Sequence, residues 1–315
     1  MRICLLGGSG FVGRNLAHRL HQDHHEVIIL SRNPGRETHP TLPGCRYQQV
    51  DPYDSQALAR TLRHSDAVVN LVGILNEAGH QGHGFQQAHV RLLEHLLEAC
   101  QISGVRRFLQ MSALGAGQAE SHYSISKGQA ESLIQAATQR GLIDATIFRP
   151  SVIFGREDQF INRFAQVLHL TPVLPLARPQ AQLQPVWVRD VVEAFAQALS
   201  SPHSIGACYP LVGPQVWTLQ AIVQWIAQQL GLKRWIIPLP DTASRLQGRM
   251  MDYLPGKPYS SDNDRSLQKP NISTHNGLTD LGITAHSMQD IVPAYLCPSD
   301  TKQQRLNQYR QHAGR

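Results

Sequence analysis

The run Tyr123-Ser124-Ile125-Ser126-Lys127 sets a phenol and an ammonium four residues apart. On a helix that spacing puts both on one face. A neighbouring cation lowers a phenol's pKa from its usual value of about 10, so Tyr123 is expected to exchange a proton near neutral pH, tuned by Lys127. Ser112, closing a strand-like run, offers a hydroxyl suited to polarising a carbonyl. The same spacing recurs at Tyr253 and Lys257, but Leu254-Pro255-Gly256 cannot continue a helix, so this second pair is set aside. His80, His83 and His89 invite a metal reading. Their surroundings, Gly79-His80-Gln81-Gly82-His83-Gly84, read instead as a flexible loop with no cysteine or carboxylate at ligand spacing. The expectation is a loop beside a substrate mouth, and no metal.

The first of these groups needs something to act with, and the start of the chain supplies a cradle. Gly7-Gly8-Ser9-Gly10-Phe11-Val12-Gly13 lies between an apolar run and a helical stretch. Gly7 permits a tight turn, Gly10 lets backbone amides approach a pyrophosphate, and Gly13 lets helix and strand pack closely. With Ser9, Phe11 and Val12 these residues form the expected phosphate site of a dinucleotide. The second strand ends in Ser31-Arg32-Asn33, with Arg36 nearby and no acid. A carboxylate there would hold a ribose 2′-hydroxyl, whereas a hydroxyl and a guanidinium suit a 2′-phosphate, so NADP(H) is favoured over NAD(H). Asp51 is positioned for the adenine amino group, and Leu71, Val72 and Gly73 line the dinucleotide path. Lys127 also reaches the nicotinamide ribose, and Tyr123 and Pro150 complete the cofactor set.

The elements that must hold these groups alternate. Ile3–Leu6, Val27–Leu30, Tyr47–Val50, Ala67–Leu75, Arg107–Ser112 and Ala145–Phe154 read as strands. Between them fall helical stretches: the stripe Val12, Leu16, Leu20, then Asp54–Leu62, Phe85–Cys100 and Ser124–Arg140. The rhythm predicts an α/β fold, a Rossmann-type doubly wound parallel sheet with a smaller C-terminal α/β domain. Residues 1–155 with about 187–204 are assigned to the dinucleotide-binding domain, 156–186 and 205–299 to the small one, and 300–315 to a basic solvated tail. Asp190 is a plausible N-cap, Tyr209–Val212 a strand, and Thr218 a cap for Leu219–Leu230. Residues 238–283 read as irregular. Trp217, Trp225 and Trp235 are expected to pack the small domain.

Composition narrows the classes. The chain has 315 residues, 42% hydrophobic, with a formal charge of +6 and a pI near 9.2. That balance suits an anionic ligand or surface, and alone it does not make a nucleic-acid binder. No apolar run is long enough to span a bilayer. Met1 to Gly8 already read as a strand entering a turn, which leaves no room for a signal peptide and sets a cytoplasmic chain as the expectation. The five cysteines (Cys4, Cys45, Cys100, Cys208, Cys297) form no CxxC pair and read as reduced core thiols.

On Gly7–Gly13, the Ser112/Tyr123/Lys127 set, Arg149–Gly155 and Gln184–Asp190, the chain resembles the short-chain dehydrogenase/reductase superfamily in its extended and atypical branches. With Ser112–Ala116 and Ser260–Leu267 added, it is similar to bacterial relatives of the NADPH-binding accessory subunit of mitochondrial respiratory complex I. The wider resemblance implies hydride transfer to or from a carbonyl or alcohol, with Tyr123 as acid/base. The narrower one implies bound NADPH without turnover, in a redox sensor or an assembly protein peripheral to the inner membrane. In sugar-nucleotide epimerases and dehydratases the serine or threonine stands much further ahead of the tyrosine than Ser112 does here. That shortened loop tells against a nucleotide-sugar substrate.

Overall fold

Ile3 to Leu6 are all apolar and almost wholly buried, as a strand covered on both faces requires. They form β1 (Arg2–Leu6), an inner strand of a seven-stranded sheet in a computed structural model that describes residues 1–33 and 42–296. The partners are β2 (Glu26–Ser31), β3 (Cys45–Gln49), β4 (Ala67–Asn70), β5 (Arg107–Met111), β6 (Asp144–Pro150) and, further along the chain, β11 (Cys208–Leu211). Their order is β11-β6-β5-β4-β1-β2-β3, every pairing parallel. The connection reverses direction beside β1, which makes the carboxyl ends of β1 and β4 the switch point where open α/β sheets bind ligands. Cys208–Leu211, read from sequence as part of the small domain, is thus corrected to the outer strand of this sheet.

Alternate residues of β1 feed different layers. Ile3 and Leu5 pack with α1 (Phe11–Gln22) and α7 (Val188–Ser200). Cys4 and Leu6 pack with α2 (Ser55–Leu62), α4 (Leu92–Ser103) and α5 (His122–Gln139). Two predicted elements are shorter than their apolar runs. β4 stops at Asn70, whose Oδ1 accepts from the Val72 N–H at 3.1 Å and turns the chain off the sheet. β6 stops at Pro150, and β7 (Ile153–Phe154) pairs separately with β10 (Val186–Trp187). The predicted helix over 85–100 is α3 (His83–Phe85), a π-helical turn over Gln86–Arg91, then α4.

A second core gathers Phe154, α6 (Ile161–Leu170), β8 (Val173–Leu176), β9 (Gln182–Leu183), α8 (Leu219–Gln229) and residues near Met288. Thr218, in β12 (Trp217–Thr218), caps α8 by accepting from the Ala221 N–H at 3.1 Å. Three expectations are corrected here. Asp190 lies inside α7 and accepts from the His286 N–H at 2.8 Å rather than capping its own helix. The stretch 238–283 is substantially helical: β13 (Trp235–Pro238) leads into α9 (Asp241–Met251), α10 (Ser261–Ser266) and a turn over Gly277–Asp280. Its helices rest on tertiary contacts, and on a Ser260/Asn263 capping box, more than on apolar periodicity. Trp235 does not pack; it is 76% exposed.

Candidate functional site

The β1–α1 turn has the shape its glycines foretell. Gly7 has φ +75°, and a Cβ there would stand 3.0 Å from the Leu71 carbonyl carbon and 3.1 Å from the Val72 nitrogen. The turn and the β4 loop therefore approach as backbone on backbone. A Cβ on Gly13 would collide with the Gly7 carbonyl oxygen and stand 2.5 Å from Gly8 Cα, so this glycine lets α1 pack on the turn. Gly10 is exposed, and a Cβ added there would meet only the Gly7 carbonyl oxygen, at 3.3 Å. It caps α1 with no side-chain hydrogen bond, so the first amides of the helix stay available to an anion. Ser9, Phe11 and Val12 are half-buried around them. The Phe11 ring packs against Gly155, where a Cβ would lie 3.0 Å from it. These features fit a dinucleotide pyrophosphate.

At the end of β2, Ser31 is half-buried and its Oγ accepts from the Asn33 N–H at 3.3 Å. Arg32 is exposed, and its carbonyl takes a hydrogen bond from Gln49 Nε2 at 3.1 Å. Among the described residues no carboxylate forms an ion pair with it. Arg36 lies outside the described residues. Asp51 is exposed after β3, with Oδ1 accepting from the Tyr53 N–H at 3.0 Å.

The proton-transfer candidates meet at the carboxyl ends of β4 and β5. Lys127 is 3% exposed; its Nζ donates to the Met111 carbonyl oxygen at 3.3 Å and lies so near Gly73 that a Cβ there would be 3.3 Å away. The Tyr123 ring centroid is 6.0 Å from the same ammonium. Ser112 is buried, its N–H bound to the Phe148 carbonyl oxygen at 2.7 Å, while its Oγ has no hydrogen-bond partner. Pro150 is buried nearby in sequence, and its carbonyl oxygen accepts from the Leu114 N–H at 2.9 Å. One expectation reverses. Burial pushes the Tyr123 phenol up to about 12 and Lys127 down to about 8, with Glu131 opposing the latter. The cause is burial of the phenol itself, which penalises its charged form.

Several supports have no counterpart in the motif reading. His89 comes from the π-helical turn and is buried. Its Nε2 accepts from the Ile74 N–H at 3.2 Å, which leaves Nδ1–H to donate to Ser126 Oγ at 2.8 Å, and Ser126 Oγ donates to the Tyr123 carbonyl oxygen at 2.9 Å. Burial, then the Lys127 charge, lower His89 to about 2, so the ring is neutral. Glu131, one turn beyond Lys127, pairs with Arg149 through Nε at 2.8 Å. Glu131 itself was findable, since residues 123, 127 and 131 share a helix face, whereas its partner on β6 was not. Asp262 of α10 accepts from the His122 and Tyr123 N–H groups at 2.7 and 3.1 Å, capping α5 from another part of the chain. The resemblance drew attention to the stretch Ser260–Leu267, but nothing in the sequence placed Asp262 against α5.

The set-aside residues form the rim. Tyr253 is exposed and non-helical, and its ring lies 5.5 Å from that of His80. Lys257 Nζ donates to the Gly79 carbonyl oxygen at 2.6 Å. Glu77 holds this loop by accepting from the Gly82 and Gly84 N–H groups at 2.6 and 2.7 Å. His83 meets Gln81 only locally. A cavity of about 20 Å³ opens between the rim and α5, lined by Asn76, His80, Phe85, His122 and Asp262 among others.

Comparison with known proteins gives a family and a fold. A family model described as the NAD dependent epimerase/dehydratase family matches residues 3–209. The chain is 29% identical over 290 residues to NADH dehydrogenase [ubiquinone] 1 alpha subcomplex subunit 9, mitochondrial, of Rattus norvegicus, covering 89% of this chain and 75% of that one. It is 25% identical over 254 residues to a ceramide reductase of Caulobacter vibrioides, covering 79% and 77%. In fold it is similar to a dTDP-glucose 4,6-dehydratase from Streptomyces venezuelae solved with NAD, with TM-score 0.74, 20% identity, and 94% and 96% coverage.

Proposed function

Because the chain belongs to the NAD dependent epimerase/dehydratase family, we propose that it is an NADP(H)-dependent oxidoreductase or isomerase acting on a carbonyl or alcohol. Gly7–Gly13 would hold the pyrophosphate, Ser31 and Arg32 the 2′-phosphate, and Asp51 the adenine amino group. Leu71–Gly73, Lys127 and Pro150 would flank the nicotinamide half. The nicotinamide, when bound, supplies hydride exchange at its C4. Tyr123 donates a proton to a carbonyl oxygen in the reductive direction and takes it back from the alcohol in the other. Lys127 holds the phenolate by charge, and the unpartnered Ser112 hydroxyl orients the substrate oxygen. The carrying observation is that the Lys127 ammonium sits against Gly73 at the switch point, one helical turn from Tyr123. Tyr123→Phe, purified with its nucleotide, is expected to lose at least about 100-fold in turnover of NADPH against a carbonyl and quinone panel. Full activity in that variant would remove Tyr123 from the role.

One observation favours a second reading. Asp262 and a neighbouring hydrogen bond, Ser266 Oγ to Ser121 Oγ at 2.8 Å, tie α10 onto the start of α5. An accessory protein that binds NADPH and does not spend it, in the manner of a respiratory-complex subunit, accords with a helix pinned over the start of α5. Co-purification with respiratory subunits, together with bound NADPH that no panel compound oxidises, would establish this reading over the first.

A further inference from the structure

The outer face of the small β8–β13 sheet is apolar. Val173 stands opposite Trp235 and Pro175 opposite Ile237. Alternation sends Leu174, Leu176 and Ile236 into the second core and leaves Val173, Trp235 and Ile237 outside, 37%, 76% and 45% exposed. A sheet face turned to water ordinarily carries polar residues. Leu170, which ends α6 just before β8, is 82% exposed. α9 borders the same sheet, since Gln247 Nε2 donates to the Pro175 carbonyl oxygen at 3.2 Å. Its Leu246 and Met250 are exposed one turn apart.

The surroundings of this face are basic. Lys233, Arg245 and Arg249 are exposed, and Arg234 is partly so. Between Lys233 and Leu254 the acids are Asp241, paired with Arg178, and Asp252, bound to Ser261. An apolar face carrying a tryptophan and rimmed by arginine and lysine has the chemistry of an interfacial membrane contact. Among the described residues no helix is long and apolar enough to cross a bilayer, so any such contact through these helices is peripheral.

We propose that this face docks on the headgroup layer of a bilayer containing anionic lipid. Leu170, Trp235, Leu246 and Met250 enter the interface, and Arg245 and Arg249 meet lipid phosphates. Just past α9, Asp252 lines the small cavity and Tyr253 touches His80, so docking brings the rim of the candidate site to the membrane surface. The inference does not depend on whether the site turns over.

The full chain should sediment with vesicles of phosphatidylcholine plus phosphatidylglycerol at least about tenfold better than with phosphatidylcholine alone, and less as salt rises. Arg245→Gln with Arg249→Gln should weaken this partition by about tenfold or more. Trp235→Ser with Met250→Ser should bring it near the neutral-vesicle level. Trp235→Phe should still sediment while losing the blue shift of tryptophan fluorescence on binding. All these positions are exposed, and unchanged melting curves confirm that the variants fold. Equal partition into both vesicle types, or partition indifferent to the substitutions, would overturn the proposal. Self-association that Trp235→Ser with Met250→Ser abolishes, without vesicle binding, would assign the face to a second protein copy and overturn it too.

Discussion

Lys127 and His89 are two buried basic groups against Gly73, and they settle their protons differently. His89 is driven to about 2 and is neutral throughout the working range; Lys127 is driven only to about 8, with Glu131 beyond it. At pH 7 the site therefore holds one positive charge, on the residue that faces the phenol. Turnover in the reductive direction should fall as pH rises through about 8, because the phenolate left by Tyr123 then loses its cation. The same shift predicts stability. An unfolded lysine keeps its proton up to about 10.4, so between about 8 and 10 the unfolded chain binds more protons and stability rises with pH. The penalty of burying the ammonium is fully present below that window. In ligand-free protein Lys127→Met should therefore stabilise by about 3 kcal/mol at pH 7, the gain shrinking toward zero by about pH 10. Denaturant melts at several pH values read this directly, and a difference that is constant with pH would contradict it.

At the level of elements, α5 is where legibility in the sequence changes character. Its existence, the face shared by Tyr123 and Lys127, and the strand that ends just before Ser112 follow from local spacing, because a helix face and a strand run are properties of neighbouring residues. The β1–α1 turn is legible for the same reason: Gly7 and Gly13 are dictated by contacts within one βα unit and with the next strand's loop. α5 has a local cap in Ser121, which accepts from the Ser124 N–H at 3.1 Å, but its first two amides and its orientation are held from elsewhere. Asp262 arrives from 139 residues away to accept from the Tyr123 N–H, and His89 reaches Ser126 from another helix. Nor could spacing show that burial would override the cation at Tyr123, since desolvation depends on every element packed above it. Asp262 is thus a positioning residue. Asp262→Ala should cost about 1–2 kcal/mol, the range for losing an N-cap acceptor. It should also lower turnover by more than the unfolded fraction explains, and Asp262→Asn should restore much of both. Turnover that tracks stability alone would reduce Asp262 to a structural cap.

For the whole molecule, the candidate cofactor residues belong to separate crossovers that converge at the switch point. The glycine turn follows β1, Ser31 and Arg32 end β2, Gly73 follows β4, and Lys127 lies on the helix after β5. A dinucleotide spanning them would bind only the folded arrangement, and so stabilise it by mass action. At a hundredfold excess over its dissociation constant that is about 2.7 kcal/mol. For a chain of this size it corresponds to a rise in melting temperature of about 4 °C. The discriminating group is at the edge of that span, where exposed Arg32 has no carboxylate partner among the described residues. NADPH should therefore raise the melting temperature more than NADH at equal concentration. Arg32→Glu should invert the order, since a carboxylate repels the 2′-phosphate and accepts from a free 2′-hydroxyl. Mass spectrometry of nucleotide released from the purified protein provides the independent check. An equal or larger shift with NADH in the unsubstituted protein, or an order unchanged by Arg32→Glu, would move cofactor selection away from Ser31 and Arg32.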